Sequence, residues 1–419
     1  HSTNTTIQFK LTKMKILNSI WKKLTDTDAI KSASGDLEIQ FFEYIYRVTY
    51  IFGLSTSDYS VPYWIYSTTA KTLLALLVCS EFWNFFSITW TIDGIIDAIN
   101  IILIQLGAFC KHVFKSLASS MESGNFDLST EKRKNILETW RTRNDTWLKL
   151  LLGIGTCTVI AWQIYPIMDD LEYNLMVSVR LPFDYRTPVL YTITYISTLI
   201  VFSLICYFVM TNDLIVQAHL MHLLCQFSIL NDCFKNILND CQSNFKDIDT
   251  NNLHLNKEFT RVYKSRLGNL VDQHTLILLN TLKLRDLMSI PMLIQLATST
   301  TLICSISFQV TTSVDVNMTK GLMSLFYLGY NMFVLYIICR WCEEIKIQSQ
   351  SISEAVYCSG WENGIVMAPG VRTSILLILA RAHKPTGLSA GGMYDLSLEA
   401  YANIVKTSYS ALTVLLQLR

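Results

Sequence analysis

On a helical wheel of about 100° per residue, Thr407, Ser410, Ala411, Val414, Gln417 and Leu418 fall on one side. Val405, Leu412, Leu415 and Leu416 lie largely elsewhere. Such a face of small and polar groups in an apolar helix has two physical uses. It can pack helix against helix, with hydroxyls bonding across. It can also line a water-filled path in which polar groups keep ions partly solvated. In the second use Val414 and Leu418, one turn apart, are apolar constrictions able to close by dewetting. One helix cannot enclose a pore, so that use requires a ring of subunits. Lys406 stands roughly 18 Å below the outer end of the same helix at 1.5 Å per residue. It either snorkels to the inner surface or stands in a wide wet vestibule.

Aromatic pairs form a second group. Trp162 and Tyr165, Tyr191 and Tyr195, and Tyr327 and Tyr330 are spaced three or four apart, each near one end of an apolar run. They read either as an interfacial belt or as the walls of a pocket for small apolar molecules, held by dispersion and shape. No catalytic set is expected. The chain has no His-Glu-x-x-His, P-loop, Gly-x-Ser-x-Gly or Gly-x-Gly-x-x-Gly. His219 and His222 share a helix face without a third ligand, and the cysteine spacings match no zinc pattern. Neither a metal nor another cofactor is expected.

These residues need apolar helices to hold them. Only 16% of the 419 residues are charged and 51% are hydrophobic, where a soluble domain carries about a quarter charged. Mean hydropathy is +0.32, which places the chain in the membrane class. Net charge +1 without a basic, aromatic-studded stripe argues against a nucleic-acid partner. Seven segments approach the ~20 apolar residues of a span: Tyr66–Trp90, Ile95–Phe114, Leu148–Met168, Tyr191–Met210, Leu287–Val310, Leu322–Ile345 and Leu396–Leu418. Lys132, Arg133, Lys134, Arg141 and Arg143 crowd the second connection, and Lys10, Lys13, Lys15, Lys22 and Lys23 the N-terminal stretch. Basic segments stay in the cytoplasm, so the N-terminus is expected inside and the C-terminus outside. Asn317-Met318-Thr319 is then a glycosylation sequon in an outer loop, at Asn317. The chain opens on His1 rather than Met, and Met14 is the expected start. No signal peptide is expected, since the first ~60 residues hold no apolar core of the usual length.

Between Thr211 and Asp286 apolar residues keep helical spacing with polar interruptions. The fourth, fifth and sixth helices are therefore expected to run on into a cytoplasmic bundle that buries their stripes. Lys384-Pro385-Thr386-Gly387 breaks the chain before the final span, and Asp395 is the expected cap of that span. The fold class is all-α. The expected division is 1–62 cytoplasmic, 63–210 spans one to four, 211–286 cytoplasmic extensions, 287–345 spans five and six, 346–394 an anchor segment and 395–419 the last span.

Three stretches carry a family resemblance. "LLILARAHKPTGLSAGGMYDLSLEAYANIVKTSYSALTVL", Leu376 to Leu415, resembles the C-terminal region of insect odorant receptors, with its Lys-Pro, Leu-Ser-Leu-Glu and Lys-x-Ser-Tyr-Ser. "RLPFDYRTPVLYTITYISTL" resembles their stretch before the fourth helix, and "SEAVYCSGWENG" the segment after the sixth. The hydropathy is similar from about Phe41 onward. The resemblance implies an odorant-gated, non-selective cation channel with seven spans and a cytoplasmic anchor, four subunits around a pore lined by the last helix. It implies a small volatile apolar odorant, a co-receptor subunit, membrane lipid and permeant cations as partners, and the plasma membrane of a sensory-neuron dendrite as location. Carried onto this chain, it puts the gate at Val414 and Leu418, with Gln417, Ser410 and Thr407 along the path. The pocket falls on Thr158, Trp162, Tyr195, Thr198, Tyr327 and Tyr330, with Asn100 or Leu103 from the second helix. No long insertion follows the fourth helix, which implies an odorant-specific subunit rather than the co-receptor. Related gustatory receptors carry a Tyr where Ala411 stands and a Phe where Leu418 stands, which favours the odorant class. A gustatory-type channel and a transporter or packing subunit without its own pore are the alternatives.

Overall fold

The computed structural model describes residues 25, 37–53, 60–87, 127–168, 173–177, 181–242, 245, 255–313, 318–362 and 364–417. The expected second span Ile95–Phe114, with Asn100 and Leu103, lies outside the described residues, as do Asn317 and Leu418. The described helices are α1 (Leu37–Ile51), α2 (Val61–Ser87), α3 (Glu131–Met168), α4 (Pro188–Lys235), α5 (Ile237–Gln242), α6 (Lys257–Ser313), α7 (Met318–Tyr357), α8 (Val371–Ala382) and α9 (Leu398–Gln417). A short antiparallel hairpin, β1 (Ser389–Ala390) and β2 (Tyr394–Asp395), precedes α9. Four of them, α3, α4, α6 and α7, are long and apolar enough to cross a membrane by length and composition. The chain forms two compact units, residues 1–105 with 159–214, and residues 106–158 with 215–419.

In the first unit α1 and α2 meet through tyrosines. Tyr50 stacks on Tyr63 at 4.5 Å, and the Tyr63 hydroxyl donates to the Tyr50 carbonyl at 3.2 Å. Ser67 of α2 donates to the Gly53 carbonyl, just past the end of α1, at 2.6 Å. Phe52 stacks on Tyr207 of α4 at 4.1 Å.

The second unit is built on helix stripes. Asn256 caps α6, its side-chain oxygen accepting from the amides of Glu258 and Phe259 at 2.9 and 3.0 Å. From there Phe259, Tyr263, Leu267, Leu270, His274, Ile277, Thr281, Leu284 and Met288 are buried at steps of three or four residues, the pattern of a helix with one face in a protein core. The extension of the fifth span is thus a packed helix on its N-terminal side. α4 likewise continues past its apolar run, with Leu214 to Leu230 almost wholly enclosed. The third span also extends, which its charge had concealed. α3 begins at Glu131, capped by Thr130, and buries Arg133, Leu137, Trp140, Asn144, Leu148 and Leu151 along one stripe.

Arg133, fully enclosed, holds this unit together electrostatically. It meets Asp127 at 2.9 Å, Asp232 at 3.1 Å and Asp240 of α5. Arg266 of α6 reaches Asp127 and Asp240, and Lys132 reaches Asp232 at 2.7 Å. Among the described residues three carboxylates face three cations, with Arg133 enclosed at the centre and Lys132 exposed at the edge. Burial pushes the Asp127 carboxyl up, but hydrogen bonds with Ser129 and Arg266 outweigh it and hold the group at about 2.

Candidate functional site

α9 presents two different sides. Ser408, 1% exposed, and Leu412 are buried, and the Ser408 hydroxyl donates to the Thr300 carbonyl of α6 at 3.1 Å. Tyr401 meets Tyr336 of α7 edge-on at 5.8 Å. On the other side Thr407, Ser410, Val414 and Gln417 are all exposed, Val414 by 55%. Two of the exposed hydroxyls turn back on their own helix. Thr407 donates to the Asn403 carbonyl at 2.8 Å and Ser410 to the Lys406 carbonyl at 3.0 Å. A hydroxyl whose proton is committed in this way offers its lone pairs outward. The exposed side of α9 therefore presents oxygen acceptors around Thr407 and Ser410, then the aliphatic Val414, then the Gln417 amide.

The start of α9 is set by Ser397, whose hydroxyl accepts from the Ala400 amide at 3.2 Å. Asp395, expected as the cap, sits in β2 and pairs with Lys346 at 3.4 Å instead. The hairpin before it docks on α6, with the Gly391 amide donating to the Ser289 carbonyl at 2.9 Å, two residues before Pro291. Between α6, the hairpin and the first turns of α9 lies a groove of about 520 Å³, lined by Leu293, Thr300, Asp395, Glu399, Asn403 and Thr407 among others.

The aromatic candidates divide between the two units. In the first, Trp162 stacks on Phe202 at 5.2 Å, in a cluster with Met176 and Val177 that also takes in Tyr195 and Leu199. The Tyr195 hydroxyl donates to the Gln163 carbonyl at 2.6 Å, and Gln163 donates to Ser203 at 2.8 Å. Tyr191 donates to the Asn174 carbonyl at 2.6 Å, fixing the segment that carries Met176 and Val177. Thr198 is buried on α4. In the second unit the Thr158 hydroxyl bonds the Ile154 carbonyl at 3.1 Å and lies 3.4 Å from the Phe326 carbonyl, while Tyr330 is buried and Tyr327 half-buried. Trp162 and Tyr195 are thus brought into one cluster. Phe202, Met176, Val177 and Gln163 join them and escaped the sequence reading. Phe202 was legible as an aromatic one turn from Thr198, but nothing in a short connecting segment signalled that Met176 and Val177 turn inward.

His219, His222 and His274 are enclosed by neighbouring helices. Burial pushes His222 down to about 3, with His219 beside it adding to the effect, and His274 down to about 4. Among the described residues no group of three or more His, Cys, Asp or Glu is arranged to hold a metal.

Comparison with known proteins gives this arrangement a family. The family described as 7tm Odorant receptor matches residues 97–409. The chain is similar to Odorant receptor 2a of Drosophila melanogaster, at 24% identity over 32% of this chain and 33% of that protein. It is similar to Odorant receptor 82a of the same insect, at 30% identity over 36% of this chain and 38% of that protein. The matches thus span little more than a third of these curated relatives. The insect olfactory receptor OR5 from Machilis hrabei, solved in complex with eugenol, superposes with a TM-score of 0.74 at 15% identity, covering 92% of this chain and all of that one. The fold is the all-α, seven-transmembrane fold of that receptor, and by the family match over most of its length the chain belongs to the 7tm odorant receptor family.

Proposed function

We propose that the chain is the odorant-specific subunit of an odorant-gated, non-selective cation channel in the plasma membrane of sensory-neuron dendrites, assembled with a co-receptor subunit. The observation that carries this reading is the two-sided character of α9. Its hydroxyl oxygens, Val414 and Gln417 stand exposed together, while Ser408 and Leu412 fix the opposite side to the protein. In an assembly that exposed side faces the ion path, and Val414 with Leu418 closes it by dewetting. The N-terminus lies in the cytoplasm, residues 63–210 and 287–345 carry spans one to six, and 211–286 and 346–394 form the anchor. Asn317 is then an outer, glycosylated position.

The ligand in this reading is a small volatile apolar odorant. OR5 from Machilis hrabei was solved in complex with eugenol, and a molecule of that kind suits an aromatic wall such as the one that Trp162, Tyr195 and Thr198 offer in the first unit. An odorant opens the channel only by binding the open arrangement better than the closed one. The test is current from cells expressing the chain with its co-receptor. Val414→Lys is expected to alter rectification and cation permeability. Unchanged permeation in that variant removes α9 from the ion path.

A further inference from the structure

α9 begins with two capped amides, and the caps come from different places. Ser397 serves the Ala400 amide locally. The Leu398 amide donates to Glu343 Oε2 of α7 at 3.0 Å, from a side chain 55 residues away. A helix N-terminus leaves its first amides without intrahelical partners and carries partial positive charge, so a carboxylate there is held by hydrogen bond and dipole together. The same helix face of α7 adds Tyr336, two turns earlier, edge-on to Tyr401. Lys346 pairs with Asp395 just before α9, across an exposed surface where such a pair contributes little.

α7 also bears Tyr327 and Tyr330. Its 40 residues contain no proline, whereas α3 and α6 contain Pro166 and Pro291. Tyr330 and Glu343 are therefore joined by about 20 Å of uninterrupted helix at 1.5 Å per residue. We propose that Glu343 is a positioning residue for gating: it grips the first turn of α9 and carries displacement of α7 to the helix that bears Val414. The inference rests on the channel reading above and assigns the coupling to one hydrogen bond. Glu343 touches neither odorant nor ion. It acts through the Leu398 amide, and the Tyr336–Tyr401 contact keeps the two helices in register.

The experiment uses the full chain with its co-receptor in one cell type. The probe is the most potent member, on the wild-type channel, of a panel of small aromatic and aliphatic odorants that includes eugenol. Maximal current is divided by surface-labelled receptor, which removes any effect on folding or export. Glu343→Ala is expected to lower that ratio about tenfold, the factor of one hydrogen bond to a charged group, with little change in half-maximal concentration. Glu343→Gln keeps an oxygen acceptor at the same reach but not the charge, and is expected to fall between wild type and Ala. Glu343→Asp keeps the charge but is one methylene short, so it is expected to behave as Ala and decides the matter if the Ala variant fails to reach the surface. Full current per receptor in Ala or Asp overturns the inference, as does loss in Gln equal to that in Ala. A wild-type chain that passes no odorant-evoked current overturns the channel reading itself, and the inference with it.

Discussion

The Ser408 hydroxyl donates a 3.1 Å hydrogen bond to the Thr300 carbonyl, joining the buried side of α9 to α6. That bond orients the helix. With Ser408 turned inward, helical geometry carries Thr407, Ser410 and Val414 to the exposed side. Ser408→Ala is expected to lower stability by about 1 kcal/mol, the net value of one such bond. Ser408→Val adds bulk at an enclosed site and is expected to cost about 1–3 kcal/mol. Thermal midpoints of the purified receptor check both, and a Val variant as stable as wild type would deny that the contact is tight.

Removing the cation at the centre of the charged cluster should be far more damaging. Arg133→Ala leaves Asp127, Asp232 and Asp240 facing fewer positive charges in an enclosed site. Breaking such an arrangement costs about 3–5 kcal/mol. Arg133→Lys is expected to rescue little, because one ammonium cannot reach three carboxylates as the guanidinium fork does. Surface amount and thermal midpoint read the outcome.

Acid should weaken the helical bundle formed by α4 and α6. An imidazole in the unfolded chain titrates near 6.5, whereas in the fold burial lowers His274 to about 4 and His222 to about 3. Between those values the unfolded chain binds more protons, so stability is full above about pH 6.5 and declines as pH falls toward 4 and then 3. The depressed Asp127 carboxyl acts in the same direction below about 3.8. His274→Leu is expected to flatten the fall in thermal midpoint between about pH 6.5 and 4. An acid slope unchanged in that variant would clear His274 of the effect.

Gly391 supports the hairpin that leads into α9. Its φ is 62°, and a Cβ would stand 2.8 Å from a Leu293 methyl. Gly391→Ala is expected to cost about 1–2 kcal/mol from the left-handed backbone alone. Pairing it with Leu293→Ala relieves the contact and not the backbone, so a double variant restored to wild-type stability would locate the whole effect in the side-chain contact.

Much of this architecture was legible because apolar run length is a physical requirement of a span. Leu148–Met168, Tyr191–Met210, Leu287–Val310 and Leu322–Ile345 each lie inside an observed helix. The extensions of α4, α6 and α7 were legible too, since their stripes keep helical spacing. The N-terminal half of α3 was not. Lys132, Arg133 and Lys134 read as a basic connection, and the carboxylates that allow Arg133 to be buried include Asp232 and Asp240, about a hundred positions away. The cap of α9 misled for a similar reason. Asp395 has the right chemistry, but the hairpin register places Ser397 at the helix start and supplies Glu343 from α7. In the aromatic cluster Trp162 and Tyr195 stood out by type, whereas Met176 and Val177 are ordinary loop residues until Tyr191 holds the Asn174 carbonyl.

The most direct test of the proposed channel is thiol accessibility along α9 in cells that express the chain together with a co-receptor subunit. Single cysteines replace Thr407, Ser408, Ser410, Leu412, Val414 and Gln417 in turn, and a charged, water-borne thiol reagent is applied with and without odorant while current is recorded. The account predicts modification and altered current at 407, 410, 414 and 417, faster when odorant is present, and protection at 408 and 412. Protection at all four exposed positions in both conditions would contradict it.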